Sequence, residues 1–366
     1  MHHIISADPV NILSLTRYGS MGASSRLRTL QYIPYLQQQG FKVTTLPLFP
    51  NSYVRRLYAG KSLWIPAGYG YARRALSGAL NRRPSLVWIE KELLPWLPFW
   101  IERLFLPNQA PYIVDYDDAV FHYYDQHPAK AVRRFLGGKI DAIMRGAALV
   151  ICGNEYLAAR ARQAGAQRVE VLPTAVDLAR YSPTSSRSVG PVVIGWIGTP
   201  KTIGWLEAFQ SVLVQMARRR NVRLVVIGSS VKTLTASGVV IEEWPWSENT
   251  EAGDIGKLDI GIMPLQDTPF ARGKCGYKLI QYMACGKPVV ASPIGANVEI
   301  VRNGVNGFLA ATDTQWLQAL DDLCRNEKIR DSMGRAGRRI VETNYCTQVT
   351  APRLYAFLQE TIQRYV

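Results

Sequence analysis

A chain of 366 residues, 48% hydrophobic and 19% charged, is long enough for two domains with real cores, which excludes a disordered protein. Its net charge is +15, and its five cysteines are scattered, odd in number and in no C-x-x-C pair, arguing for a reducing compartment and against a structural zinc. No run approaches the roughly 18 apolar residues of a membrane span, and the N-terminus lacks the basic region, apolar core and cleavage site of a signal peptide. The expectation is a cytoplasmic protein, soluble or peripheral to a membrane.

The first predicted strand is Ile12–Leu15, followed by the small-residue loop Gly19–Ser25 and a helix from about Arg26 that Gly40 ends. Phe41–Leu46 reads as the second strand, and strand, Gly loop, helix, strand opens a Rossmann-like unit. Further strands are expected at Leu86–Ile89, Tyr112–Val114, Leu149–Cys152 and Val169–Leu172. Residues 9–89 contain no Asp or Glu but eleven Lys and Arg, interleaved from Arg55 onward with Leu57, Tyr58, Trp64, Ile65, Tyr69 and Tyr71. That mixture suits an anionic membrane surface. The plainer alternative is a solvated basic face. No nucleic-acid module motif appears, and no nucleic-acid partner is expected.

The polar, Pro/Ser/Gly-rich stretch 179–190 reads as a linker. A second α/β unit follows: strand Val192–Ile197, turn Gly198–Thr202, a helix burying Trp205, Phe209, Val212, Leu213 and Met216, and strand Arg223–Ile227. Glu243-Trp-Pro-Trp-Ser247 lies between a strand and a helix, where an indole could stack on a base or simply pack. The chain closes with a helix from about Thr347 that carries Leu354, Phe357, Leu358 and Ile362 on one face.

Residues 259–297 are the most informative. Ile260, Ile262 and Met263 form a strand that Pro264 ends; a helix runs from about Tyr277 to Cys285, with Gly286 as C-cap and Pro288 beyond it; Val289 and Val290 start the next strand. Lys278, Gln281, Tyr282 and Cys285 share one helix face by spacing. Gly273 and Gly276 would let a phosphate approach the helix start closely. The run Gln281-Tyr-Met-Ala-Cys-Gly-Lys-Pro-Val-Val290, followed by Gly295, Glu299 and Asn303-Gly-Val-Asn-Gly-Phe-Leu309, resembles the donor-binding segment of glycosyltransferase family 4, the retaining nucleotide-sugar glycosyltransferases. The chain departs from the usual pattern at two positions, with Gly273 and Gln281 where the family has glutamates. It is similar there to a subgroup with G-K-C-x-x-K-L-x-x-Y-M-A. The G-S-M-G-A-S-S loop does not match the dehydrogenase fingerprint, and no G-x-S-x-G, H-E-x-x-H or P-loop pattern is present.

The resemblance implies a GT-B fold: two Rossmann-like α/β domains, 1–180 on the acceptor side and 190–345 binding the nucleotide sugar, facing a cleft. It also implies that helix 346–366 crosses back to the first domain. The implied reaction is metal-independent, retaining transfer of a sugar from a nucleotide diphosphate sugar, the co-substrate, to a saccharide or lipid-linked acceptor. Bacterial surface polysaccharide biosynthesis at the inner face of the membrane is the implied setting, and no further cofactor is expected. Donor-side candidates are Gly22, Arg26, Lys201, Gly273, Lys274, Lys278, Gln281, Gly295 and Glu299. Thr199 stands near the position of the family's usual arginine, for which Arg272 or Lys274 could substitute. On the acceptor side Asp117, Asp118 and His122, after a predicted strand, could orient hydroxyls or remove a proton, or could merely cap a helix. Glu90 and Glu92 form a second acidic pair at the end of a strand. The non-enzyme alternative is a catalytically impaired GT-B protein that binds nucleotide sugar or glycan without transfer.

Overall fold

The computed structural model describes residues 10–80, 84–107, 110–185, 190–231 and 239–365. Most of the stretch read for a signal peptide (1–9) and part of the expected linker (186–189) lie outside the described residues. The chain divides into two compact units, Met1–Thr174 with Thr350–Val366, and Ala175–Val349. The division falls ahead of the polar 179–190 stretch, whose Tyr181 is buried in the second unit.

In the first unit the strands are β1 (Asn11–Leu15), β2 (Lys42–Thr45), β3 (Leu86–Glu90), β4 (Tyr112–Tyr116), β5 (Leu149–Cys152) and β6 (Val169–Val171). They form one parallel sheet in the order β2-β1-β3-β4-β5-β6. Strands β3 and β5 are buried along their whole length, as continuous apolar runs are when helices cover both faces, whereas edge strand β2 is half-exposed. Ile12, Trp88, Ile113, Leu149 and Ile151 pack with Leu354, Leu358 and Ile362 of the Thr347–Tyr365 helix. The Tyr32 and Thr350 hydroxyls meet at 2.9 Å within this core.

The second unit repeats the plan with β7 (Val192–Ile197), β8 (Val222–Ile227), β9 (Val240–Trp244), β10 (Ile260–Met263), β11 (Val289–Ala291) and β12 (Gly307–Leu309). This sheet is also parallel, in the order β12-β11-β10-β7-β8-β9. Side chains alternate between two cores. Val193, Ile197, Val225 and Ile227 pack on Leu279, Tyr282 and Met283 of the Tyr277–Ala284 helix. Ile194, Trp196, Leu224 and Val226 pack on the Gln210–Arg219 and Asp313–Arg325 helices.

The two parallel sheets bear out the α/β expectation, with local differences. The helix expected from Arg26 to Gly40 is broken into Ala23–Arg28, a 3-10 turn at Leu30–Tyr32, and Ile33–Gln38. Pro34 has no N–H for a continuous ladder and instead occupies the first turn of the last piece. The helix expected around Trp205–Met216 splits at Ala208–Phe209, where Phe209 N donates to Leu206 O in a tightened turn. Strand β12 was not singled out as a strand, because three residues carry no period. No helix among the described residues is long and apolar enough to cross a membrane.

Candidate functional site

In each sheet the strand order reverses at its first strand, so the loops leaving the carboxyl ends of that strand and of one neighbour run to opposite sides and open a crevice. In the second unit that strand is β7, flanked by β8 and β10. The loop after β10 leads to Gly276, whose φ of +64° is the left-handed region, and then directly into the Tyr277–Ala284 helix. A side chain at 276 would be strained and would place its Cβ 2.3 Å from Ile300 Cδ1. Two residues into that helix, Lys278 lays its Nζ 3.9 Å from the centroid of the Trp196 ring at the end of β7. Lys278 is half-buried, and its ammonium makes no hydrogen bond or ion pair among the described residues. Burial, and then the neighbouring Lys274 ammonium, hold its pKa well below the ordinary lysine value. Lys274 Nζ lies 4.8 Å from the Phe270 ring centroid and 5.8 Å from that of Trp205. Two cations resting on aromatic faces beside a helix N-terminus form a place where an anion relieves an existing electrostatic cost.

The other donor-side candidates occupy distinct environments in this unit. Lys201 is exposed in the turn after β7, where Thr199 N–H donates to Thr202 Oγ1. Gly273 is buried at the end of the Pro269–Arg272 helix, with an ordinary φ of −80°. Gly295, at φ +55°, passes so close to Arg272 O that a Cβ would stand 2.4 Å from it. Glu299 is exposed in the first turn of the Asn297–Ile300 helix. Gln281 does not line up with Lys278. It is 2% exposed, and its Nε2 donates to Tyr181 Oη at 3.1 Å; Tyr181 in turn donates to Glu251, which also accepts from Trp246 Nε1 at 2.5 Å. Trp244 Nε1 donates to Glu242 at 3.1 Å under the Lys257 ammonium. Both indoles of the Glu243–Ser247 stretch are thus engaged in packing and internal hydrogen bonds.

Two buried residues that sequence reasoning passed over lie beneath this site. One is Trp196, read there only as part of a buried strand. The other is Asn297, fully buried, whose Nδ2 donates to Ser292 O at 3.0 Å while its Oδ1 has no hydrogen-bond partner among the described residues. That oxygen lies 3.4 Å from where a Cβ of residue 276 would stand, so an unsatisfied acceptor faces the helix start.

The first unit concentrates charge at the ends of β3 and β4. Glu90 is 2% exposed; its Oε2 accepts from Ser25 Oγ at 2.6 Å and Arg17 N at 2.9 Å, and its Oε1 has no hydrogen-bond partner among the described residues. Burial pushes this carboxyl up, against the opposing pull of Lys91. Lys91 adopts φ +64°, uncommon for a non-glycine residue, and its Nζ lies 2.8 Å from Asp117 Oδ1, 3.6 Å from Asp118 Oδ2 and 3.0 Å from Ser24 Oγ. Burial raises the Asp117 carboxyl, but the Lys91 charge and hydrogen bonds outweigh it and hold the pKa at about 2. Glu92 accepts from Arg17, Tyr124 and Lys139.

His122 does not join Asp117 and Asp118. Its Nδ1 lies 2.8 Å from Asp125 and its Nε2 2.9 Å from Tyr156 Oη, so both ring nitrogens are engaged. The three residues expected to act together are therefore one ion-paired carboxylate pair and one separate histidine. Gly22 caps the Ala23–Arg28 helix, and Arg26 turns back to donate to Ser20 O at 3.1 Å.

Residues 10–175 match the model described as a glycosyl transferase 4-like domain, and residues 191–326 the model described as glycosyl transferases group 1. Curated relatives include spore coat protein SA of Bacillus subtilis, 28% identical over 81 residues, 21% of this chain and 22% of that protein. Another is D-inositol 3-phosphate glycosyltransferase of Segniliparus rotundus, 23% identical over 195 residues, 47% of this chain and 42% of that protein. The chain thus matches less than half the length of these curated relatives. Among solved structures, sucrose-phosphate synthase of Thermosynechococcus elongatus aligns at TM-score 0.73 and 15% identity over 97% of this chain and 99% of that one. HepE of Anabaena, solved with UDP and glucose, aligns at TM-score 0.68 and 16% identity over 96% and 100%. These structural likenesses concern the fold.

Proposed function

We propose a function from one premise: the chain belongs to the group 1 glycosyl transferases, of the glycosyltransferase family 4 kind and with the GT-B fold. It transfers a sugar from a nucleotide diphosphate sugar to a saccharide or lipid-linked acceptor with retention of configuration. The observation that carries this reading is Lys278, a half-buried ammonium with no anionic partner among the described residues, at a helix N-terminus beside the strand-order switch of the second unit.

As the bond from the anomeric carbon to the phosphate oxygen breaks, negative charge accumulates on the departing diphosphate. Lys278, Lys274 and the N–H groups at the start of the Tyr277–Ala284 helix would stabilise that charge in place, the task a metal performs elsewhere, so the proposed transfer is metal-independent. Lys201, the Gly295 turn and Glu299 extend the proposed donor surface along the same strand ends.

In the first unit we assign the acceptor to the carboxylates around Lys91. A carboxyl held near pKa 2 accepts a proton poorly, so Asp117 suits orienting an acceptor hydroxyl better than deprotonating it. The proposed setting is bacterial surface polysaccharide assembly at the inner face of the cytoplasmic membrane.

A second reading, binding without transfer, is favoured by Gly273 and by the internal engagement of Gln281, which leave no carboxylate at either usual acidic position. Incubating the protein with a panel of nucleotide sugars, with and without acceptors, decides between them. Release of nucleoside diphosphate, accelerated by an acceptor and surviving chelator, is the expected result. Binding without release across a broad acceptor panel would establish the second reading.

A further inference from the structure

Over residues 64–76 the Trp64–Leu80 helix of the first unit is inside out. Beside a ring contact of Tyr71 with Phe49, its inward contacts are hydrogen bonds to backbone carbonyls: Tyr71 donates to Pro95 O at 2.6 Å, Arg73 to Pro47 O, and Arg74 to Thr16 O at 2.5 Å and Leu46 O at 2.9 Å. Gly70 approaches Leu48 O so closely that a Cβ would stand 2.5 Å from it. Over residues 64–76 the large apolar side chains other than Tyr71 face out instead: Trp64 is 87% exposed, Ile65 86%, Tyr69 65% and Leu76 59%. The 3-10 turn Arg103–Phe105 packs beside this helix and adds Leu104, while the preceding Phe99–Glu102 helix adds Trp100, both mostly exposed. An ordinary surface helix does the reverse, and a contiguous exposed face of this composition marks a docking surface.

Charge selects the occupant. Arg56 donates to Ser62 O at 3.1 Å just before Trp64, and Arg55, Lys61 and Arg103 are exposed around the same elements. The acid-free stretch 9–89 leaves this side with little to offset them. A second copy would bring two basic faces together, whereas an anionic bilayer attracts both the cations and the interfacial Trp and Tyr rings.

We infer that this face docks the protein onto an anionic lipid surface, with Trp64, Ile65, Tyr69, Leu76, Trp100 and Leu104 entering the headgroup region. The assignment corrects the basic set read from the sequence: Arg74 is 3% exposed and cannot meet lipid, and Arg82 and Arg83 lie outside the described residues. It rests on the proposed transfer only for its purpose, delivery of the enzyme to a lipid-linked acceptor.

The test is flotation of the full chain with phosphatidylglycerol/phosphatidylcholine vesicles and with phosphatidylcholine alone, without nucleotide. Wild-type protein is expected to float with the anionic vesicles and far less with the neutral ones. The bound fraction should fall in 1 M salt, where the screening length shrinks to about 3 Å. The Ile65→Glu/Tyr69→Glu variant, with circular dichroism unchanged, should lose at least tenfold in vesicle affinity. Failure of wild type to float, equal flotation of the variant, or a dimer in sedimentation velocity that the variant dissolves each overturns the inference. Thermal stabilisation by UDP, GDP or ADP, measured on the same samples without vesicles, keeps the two proposals apart. Lost flotation with intact stabilisation defeats the docking face alone, and intact flotation without stabilisation supports docking while defeating the donor site.

Discussion

Lys278 costs the free protein stability in a way that can be read out. Its folded pKa lies below its unfolded value, near 10.4, so between the two the unfolded chain binds more protons. Stability therefore rises with pH across that window. Lys278→Met keeps the stem over Trp196 and removes the charge. We expect it to raise the melting temperature by about 2–4 °C for each kcal/mol recovered and to flatten the rise toward alkaline pH. A melting temperature lowered at every pH would contradict the electrostatic account. Asp117 has the opposite sign. Its depressed carboxyl contributes stability that is complete above the unfolded value near 3.9 and lost as pH falls through about 2. Asp117→Asn leaves the buried Lys91 short of its nearest partner and should cost roughly 3 kcal/mol in denaturant unfolding. It should spare nucleotide binding, because the residue belongs to the other unit. An Asp117→Asn protein of unchanged stability would show that the ion pair contributes nothing to the fold.

At the scale of elements, the junction at Gly276 sets the geometry of the donor-side helix. An alanine there adopts an unfavourable left-handed backbone, costing about 1–2 kcal/mol, and also meets Ile300 Cδ1. Gly276→Ala should therefore lower the melting temperature, and adding Ile300→Val should recover part of the loss by relieving the contact while leaving the backbone strain. A stable single variant would mean that the turn can reorganise. The same stretch shows how much was legible beforehand. Buried strands β3, β5, β7 and β10 were readable because parallel strands covered on both faces are continuous apolar runs. The Tyr277–Ala284 helix was readable from its Gly and Pro punctuation. The breaks at Pro34 and at Ala208–Phe209 were not, because apolar spacing persists across a tightened turn. Lys278 was found through its motif. Its seat on Trp196, 82 positions away, and the approach of Asn297 to Gly276 exist only after folding. Spacing also put Gln281 beside Lys278, but three residues along a helix is about 60° short of a full turn, enough to send Gln281 to Tyr181.

For the whole molecule, two parallel α/β units divide the proposed work, with cations at strand ends in the second and ion-paired carboxylates at strand ends in the first. Nuclear magnetic resonance of the first-formed product should show the donor's anomeric configuration retained; inversion would remove the retaining assignment while leaving the fold untouched. The central claim is that the second unit binds a nucleoside diphosphate through Lys278. Titration calorimetry of UDP, GDP and ADP against wild type and Lys278→Met, in buffers of different ionisation enthalpy across a series of pH values below the ordinary lysine pKa, tests it most directly. At least one diphosphate should bind wild type with net proton uptake, as its charge restores the lysine's proton. The variant should lose about ten- to a hundredfold in affinity, the worth of one charge-assisted contact, together with the proton uptake. Equal affinities and equal proton uptake for the two proteins would contradict the account.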